Sequence, residues 1–94
     1  MLFSIAFNEE KNQLLKATRD VCFEDVVFTI KGGRLLDNVA HPNHKRSSQK
    51  VYIVEINAYA YAVPHVVNKQ KKEIYLKTIY PSRKFTKKYL EGVR

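Results

Sequence analysis

The 94 residues, 45% of them hydrophobic with three glycines and three prolines, are enough for one folded domain over residues 1–94 and exclude a low-complexity chain. The single cysteine, Cys22, excludes an internal disulfide framework and indicates a reducing compartment. The net charge of +8 is uneven: residues 1–30 hold three Lys/Arg and five Asp/Glu, whereas residues 31–94 hold fourteen and four. Such a positive field attracts phosphate backbones and acidic proteins, so we expect a polyanionic partner.

We find neither a secretory signal nor a membrane-spanning segment in the distribution of apolar residues. The apolar residues 2–7 have no basic segment before them and are followed at once by polar residues, so they do not form a secretory signal. The longest uncharged stretch, residues 57–68, is too short to span a bilayer. We therefore expect a soluble, cytoplasmic protein without a membrane partner.

The first 33 residues predict one strand followed by two helices. Apolar residues alternate over residues 2–7, as in a strand. Asn8 is the expected N-cap of a helix that runs to about Thr18. A second helix begins near Phe23, where apolar residues recur at intervals of three and four, and Gly32-Gly33 ends it.

After residue 33 the apolar period shortens from about 3.6 to 2, which predicts strands. The predicted strands cover residues 34–40, 50–57, 59–67 and 73–80, with a polar, basic loop before the second. Pro64 indicates an edge strand or a bulge, and Ser82 is the expected cap of a final helix. The short connections predict an α+β fold of order β-α-α-β-β-β-β-α, in which a twisted antiparallel sheet carries its helices on one face.

The sequence lacks the signatures of metal and nucleotide enzymes. His41 and His44 stand three residues apart without a third ligand at a metal-binding spacing, so we predict no metal. The serine-hydrolase elbow, the phosphate-binding glycine loop and the dinucleotide fingerprint are missing, so we predict no cofactor. Cys22 is expected to fill space rather than to react.

The remaining cations, histidines and tyrosines suit metal-free cleavage of RNA. Attack of the 2′-hydroxyl on its own phosphate requires a base, a fixed positive charge for the phosphorane and an acid. Arg matches phosphate oxygens, whereas Lys, His or Tyr can transfer protons, so the acid and the base stay unassigned. Arg83 and Lys84, which open the last helix, are the first candidates for catalysis, and Lys77 on the last strand is the next.

Other residues are candidates for holding the RNA. They lie on the basic loop, the last strand and the last helix: His41, His44, Lys45, Arg46, Tyr75 and Lys87. Alternation along the last strand puts Tyr75, Lys77 and Ile79 on one side. His65 follows Pro64 in an apolar strand, and we expect it to be a half-buried histidine with satisfied hydrogen bonds.

Two parts of the chain carry motifs shared with a known family. The first part comprises Phe7-Asn8-Glu9-Glu10-Lys11-Asn12, Leu14-Leu15-Lys16 and Phe23-Glu24-Asp25-Val26, and the second comprises Leu76-Lys77-Thr78-Ile79 and Ser82-Arg83-Lys84-Phe85-Thr86-Lys87-Lys88. Both parts resemble the BrnT-type toxins. With the element order, the resemblance covers most of the chain. It implies a RelE-like fold and a metal-independent endoribonuclease that inhibits translation. It also implies a cognate antitoxin as partner in a type II toxin–antitoxin system.

The resemblance places RNA-cleaving cations at Lys77, Arg83 and Lys84, with Lys50 as a weaker match at the start of the central hairpin. A different interpretation of the same charge is a non-catalytic module that binds nucleic acid or an acidic protein. The two interpretations differ in whether bound RNA is cut.

Overall fold

The fold is an α+β arrangement in which a mixed sheet carries helices on both faces. The computed structural model describes residues 3–40 and 49–91. In chain order, the elements are β1 (Ser4–Phe7), α1 (Glu9–Arg19), α2 (Phe23–Lys31), β2 (Leu35–Ala40), β3 (Gln49–Ile56), β4 (Tyr59–Asn68), β5 (Glu73–Leu76), β6 (Tyr80–Pro81) and α3 (Arg83–Thr86), which continues as a π-helical turn over Lys87–Glu91. The predicted element order is therefore extended by the two-residue strand β6.

Local signals determine where the first two helices begin and end. The Asn8 side chain accepts a hydrogen bond from the Lys11 backbone N–H at 2.8 Å, which confirms the predicted cap of α1. The buried Asn12 on α1 accepts a hydrogen bond from the Phe23 N–H at 2.7 Å and so caps α2 from outside that helix. The helix α2 ends at Lys31 with Gly32 as its C-cap, as the sequence predicts.

The strand order is β1-β5-β4-β3-β2, with β6 beside the first half of β4. The strands β2 to β5 form an antiparallel meander, but β1 runs parallel to β5, from Ser4 opposite Glu73 to Phe7 opposite Leu76. The prediction of a wholly antiparallel sheet is therefore wrong at this pair. The helices α1 and α2 connect β1, at one edge of the sheet, to β2 at the other edge. The meander from β2 to β5 then leads back across the sheet, and its last strand, β5, runs in the same direction as β1.

Two cores lie on opposite faces of the sheet. On one face, the sheet residues Tyr52, Val54 and Val63 are covered by α1, α2 and the link between them, through Leu15, Val21, Phe23 and Val26. On the other face, Phe85, Tyr89 and Leu90 pack on Val51, Ile53, Ala60 and Ala62. The prediction that the helices share one face is therefore wrong. The interior strand β3 buries successive residues, and both of its faces must be covered.

The predicted strand over residues 73–80 is interrupted where it passes Pro64. This proline lies inside β4, an interior strand, and its carbonyl accepts a hydrogen bond from the Lys77 N–H at 2.8 Å. Proline has no N–H to return that bond, so the ladder breaks. His65 faces Leu76, whereas Ala62 faces Tyr80. The two residues 63–64 of β4 are therefore opposite the three residues 77–79 of the neighbouring segment. A bulge is therefore present near Pro64, as the sequence indicates, and the extra residue lies between β5 and β6.

The bulge also changes which side chains point to which face. Ile79 is fully buried in the core beneath α1 and α2, together with Leu76. Tyr75 precedes Leu76 in the regular strand β5 and so points to the opposite face. The prediction that Tyr75, Lys77 and Ile79 share one side is therefore wrong, because it assumed unbroken alternation.

Within residues 3–40 and 49–91, no helix has the length and apolar character needed to cross a membrane.

Candidate functional site

The helix α3 is fixed to the sheet through a buried threonine. Ser82 accepts a hydrogen bond from the Phe85 N–H at 3.2 Å, which confirms it as the cap of this helix. The Thr86 hydroxyl accepts a hydrogen bond from the Ala60 N–H of β4 at 2.9 Å and donates one to the Ser82 carbonyl at 2.8 Å. Thr86 is only 4% exposed, so these bonds anchor the helix where Arg83 begins it.

Exposed lysines and aromatic rings alternate over residues 75–89, and we call this the basic–aromatic surface. Three lysine Nζ atoms lie over aromatic rings: Lys77 at 5.7 Å from the Tyr75 centroid, Lys84 at 5.6 Å from Phe85 and Lys88 at 5.2 Å from Tyr89. These distances are within the range of cation–π attraction. Arg83 and Lys87 are also exposed in this segment. The surface therefore presents positive charge next to aromatic carbon.

A groove of about 380 Å³ lies beside this surface, and we call it the α3 groove. Its wall consists of Val39, Ala40, Val51, Tyr80, Lys84 and Phe85. Tyr80 is 37% exposed, which leaves part of its ring accessible. The groove thus combines an apolar floor with the positive charge of Lys84 at its wall.

A tyrosine–aspartate pair ties the far end of the π-helical turn to β2. The Tyr89 hydroxyl donates a hydrogen bond to the Asp37 carboxylate. This bond lowers the pKa of Asp37 below its ordinary value, and the positive charge of Lys88 lowers it further. The same bond raises the pKa of Tyr89 above its ordinary value. Neither group is therefore suited to exchange protons near neutral pH.

A second cavity, which we call the histidine pocket, lies on the opposite face of the sheet. It has a volume of about 370 Å³ and is lined by Asn38, Lys50, Tyr52, His65, Val67 and Lys69. Lys50 faces His65 in the antiparallel register of β3 and β4. Tyr52 belongs to the core under α1 and α2, so the pocket occupies the part of that face nearest to the start of β3.

His65 is fully buried, and its ring stacks on Tyr52 with centroids 3.6 Å apart and planes 7° from parallel. Its Nδ1 lies 3.2 Å from the Val63 carbonyl oxygen, so we assign the ring proton to Nδ1 and the lone pair to Nε2. In the described part of the chain Nε2 has no hydrogen-bond partner. The expectation of a half-buried, satisfied histidine is therefore wrong on both counts.

The surroundings of His65 keep it neutral. Burial lowers the pKa of His65, the hydrogen bond to the Val63 carbonyl partly opposes this, and the charge of Lys50 lowers it further. Burial raises the pKa of the adjoining Tyr52. A neutral imidazole with a free lone pair therefore shares a cavity with two exposed lysines, Lys50 and Lys69.

The structure separates the residues that the sequence grouped as catalytic. Lys84 lines the α3 groove, whereas Lys50 lines the histidine pocket on the other face. Lys77 and Arg83 are exposed near the two ends of the segment that includes β6. Their catalytic roles stay predictions.

The candidates for RNA binding fall into two groups. Tyr75 is half-buried beneath Lys77, and Lys87 is exposed on the π-helical turn. The remaining predicted residues lie outside the described residues: His41, His44, Lys45 and Arg46.

Sequence reasoning missed the pairing of Lys50 with His65, although a signal for it exists. Asn57 and Ala58 form a two-residue turn with positive φ angles of 55° and 64°. Counting outward from that turn pairs Ile56 with Tyr59 and, six residues further along each strand, Lys50 with His65.

Metal and thiol chemistry find little support in the described residues. Over residues 3–40 and 49–91, no cluster of three or more His, Cys, Asp or Glu side chains is placed to hold a metal ion. Cys22 is partly buried, and burial raises the pKa of its thiol, which disfavours the reactive thiolate.

In comparisons with known proteins, no family model, no curated protein and no solved structure matches the chain. The fold defines an α+β protein with a mixed sheet and three helices, and a function has to be inferred from the surfaces described above.

Proposed function

We propose that this protein is a metal-independent endoribonuclease of RelE-like fold that inhibits translation as the toxin of a type II toxin–antitoxin system. The observation that carries the proposal is the basic–aromatic surface, where three lysines lie over aromatic rings beside the α3 groove. Single-stranded RNA is commonly held by cations that contact phosphates and by aromatic rings that stack on unpaired bases. A surface that presents both kinds of group suits this substrate.

The uneven charge supports the choice of a nucleic-acid substrate. All of the net positive charge arises after residue 30, and this part of the chain supplies the meander, α3 and the π-helical turn. Exposed cations attract the RNA backbone over a distance of about 8 Å at physiological salt. Association is therefore expected to weaken steeply as salt is added.

The proposed reaction needs no cofactor. The 2′-oxygen of the RNA forms a bond to the adjacent phosphorus as its proton is removed by a base. The bond from phosphorus to the 5′-oxygen breaks, and that oxygen takes up a proton. The products are a 2′,3′-cyclic phosphate and a 5′-hydroxyl. Arg83 and Lys84 are proposed to stabilise the negative charge of the phosphorane, and Lys77 is proposed as a further cation for the same charge.

The same surface suggests how the activity would be controlled in the cytoplasm. An antitoxin with acidic residues and an amphipathic helix would pair with the exposed cations and cover the apolar floor of the α3 groove. Charge pairing and steric occlusion would then act together. A cognate partner that lacks both features would contradict this part of the proposal.

Expression in bacteria without an antitoxin tests the proposal. The wild type is expected to arrest growth and degrade RNA, and Arg83→Ala/Lys84→Ala is expected to do neither. The matched control is Lys16→Ala/Lys31→Ala, which removes two exposed positive charges from the helices α1 and α2. This control should be as toxic as the wild type. Normal growth and intact RNA in all three strains would refute the proposal.

The alternative, a non-catalytic binding module, is favoured by the same lysine–aromatic pairs, because stacking and phosphate contacts hold RNA whether or not it is cut. Purified protein with chelator and labelled RNA separates the two functions. Binding that weakens steeply with salt, without cleavage products, would establish the alternative. Cleavage in the presence of chelator would exclude it.

A further inference from the structure

One residue of the histidine pocket, His65, carries a buried hydrogen-bond acceptor. His65 Nε2 has less than 1 Å² of accessible surface and no hydrogen-bond partner among the residues that the structure describes. Buried polar atoms are nearly always paired in folded proteins, because an unpaired one has lost its hydrogen bonds to water. Because His65 is one of the residues that line the pocket, the pocket is suited to a ligand that donates a hydrogen bond to this nitrogen.

The groups that face His65 determine what else the ligand must carry. Lys50 on β3 and Lys69 after β4 bring positive charge, and Tyr52 and Asn38 bring a ring and an amide. The described lining contains no carboxylate. A cationic donor would be repelled by the two lysines, whereas a ligand with an anion next to a hydroxyl satisfies both lysines and the imidazole.

A ribonucleotide has this combination of groups. Its phosphate lies beside the 2′-hydroxyl, which is a hydrogen-bond donor that DNA lacks. The ionised phosphodiester of a nucleic acid has no proton to offer a neutral imidazole, so the phosphate of DNA would satisfy only the lysines. The pocket volume of about 370 Å³ is within the range of small-ligand sites.

We propose that the histidine pocket binds one ribonucleotide of an RNA strand, with its phosphate at Lys50 and Lys69 and its 2′-hydroxyl donating to His65 Nε2. This inference rests on the proposed function in taking RNA as the substrate class. It gives the pocket a role in recognition, which is the selection of RNA over DNA. The phosphate bound in the pocket is not the phosphodiester that is cut. The α3 groove includes Val51 and the histidine pocket includes Lys50, so both cavities adjoin the start of β3, on opposite faces of the sheet.

The ligand must move side chains at the wall to reach Nε2. Lys50 and Lys69 have exposed, flexible side chains, and they are the wall residues that can shift at the smallest cost. The stacked pair of Tyr52 and His65 stays in place, because both residues are buried. The stacking on Tyr52 and the contact with the Val63 carbonyl therefore fix the orientation of the imidazole ring.

Two nucleotides that cannot be cleaved provide the test. Adenosine 3′-monophosphate and its 2′-deoxy analogue differ only in the hydroxyl that the proposal assigns to His65. Wild-type protein should bind the ribonucleotide about 5-fold more tightly, the effect of one hydrogen bond. In His65→Phe, which keeps an aromatic ring on Tyr52, the ratio of the two affinities should fall to about one. Lys50→Ala should weaken the binding of both nucleotides equally, and the control Lys16→Ala/Lys31→Ala, which removes two exposed charges from α1 and α2, should change neither affinity.

Since His65 is fully buried, a measurement on the wild type serves as a test that needs no folded variant. The Nε2 nitrogen resonance of His65 should shift on addition of adenosine 3′-monophosphate and stay in place with the deoxy analogue. Equal affinities for the two nucleotides, absence of binding, or an unmoved His65 resonance would each overturn the inference.

The test also separates this inference from the proposed function. Discrimination at His65 by a protein that does not cut RNA would support the pocket and refute the ribonuclease. Cleavage of RNA by a protein that does not distinguish the two nucleotides would refute the pocket and support the ribonuclease.

Discussion

Replacement of His65 by phenylalanine should remove a loss of stability that the wild type shows on mild acidification. Burial lowers the pKa of His65 in the folded state below the ordinary value of 6.5. The unfolded chain therefore binds more protons than the folded chain as the pH falls from 6.5 towards the lowered value. The free energy of unfolding must therefore decrease as the pH falls through that window. Well above pH 6.5 the imidazole is neutral in both states, so no stability is lost to its protonation.

The size of the effect has a thermodynamic limit. One proton bound only by the unfolded state changes the free energy of unfolding by at most about 1.4 kcal/mol per pH unit. Because the unfolded imidazole titrates near 6.5, the wild type should lose up to about 1.4 kcal/mol between pH 7.5 and 5.5. The variant keeps a ring against Tyr52 and has no proton to bind, so its stability should be flatter over this range.

Urea unfolding at pH 7.5, 6.5 and 5.5, followed by circular dichroism, measures the difference directly. His41 and His44 are present in both proteins, so their contributions cancel in the comparison. The carboxyl groups of Glu24 and Asp37, whose pKa values are lowered by hydrogen bonds from Asn12 and Tyr89, titrate below the window. Parallel stability curves for the two proteins would show that His65 is not held neutral by burial and would refute the reasoning.

Three further substitutions test the contacts that hold the fold, each by the urea midpoint at pH 7.5. Asn12→Ala should cost about 1–3 kcal/mol, because the Phe23 N–H is left without its cap; an effect below 1 kcal/mol would contradict that role. Thr86→Val should cost about 1–3 kcal/mol by leaving the Ala60 N–H unpaired, and Thr86→Ser should restore most of it. Gly33→Ala should cost about 1–2 kcal/mol, because Gly33 has a φ of 74°; Gly33→Asn should cost less, and equal losses would argue against backbone strain as the cause.

The positions of the helix ends could be predicted because they depend on neighbouring residues. Asn8 and Ser82 are caps whose side-chain oxygens accept hydrogen bonds from backbone N–H groups three residues away. At the end of α2 the Gly32 N–H donates to the Phe28 carbonyl, four residues earlier. Only part of the candidate site could be predicted from the sequence. Arg83 and Lys84 were placed at the start of a helix, but the histidine pocket required the register of β3 against β4. A residue such as His65 has no local signature that separates a satisfied side chain from an unsatisfied one.

The amino-acid sequence by itself determined the uneven charge, the caps, and the succession of helices and strands apart from the short strand β6. Each of these depends on composition or on contacts within about four residues along the chain. The tertiary structure decided the parallel pairing of β1 with β5, the burial of both sheet faces and the bulge opposite Pro64. These features arise from hydrogen bonds and packing between segments far apart in sequence, and no local pattern encodes which segments meet. For the same reason the positive charge lies along both faces of the sheet, with Lys84 on one and Lys50 on the other.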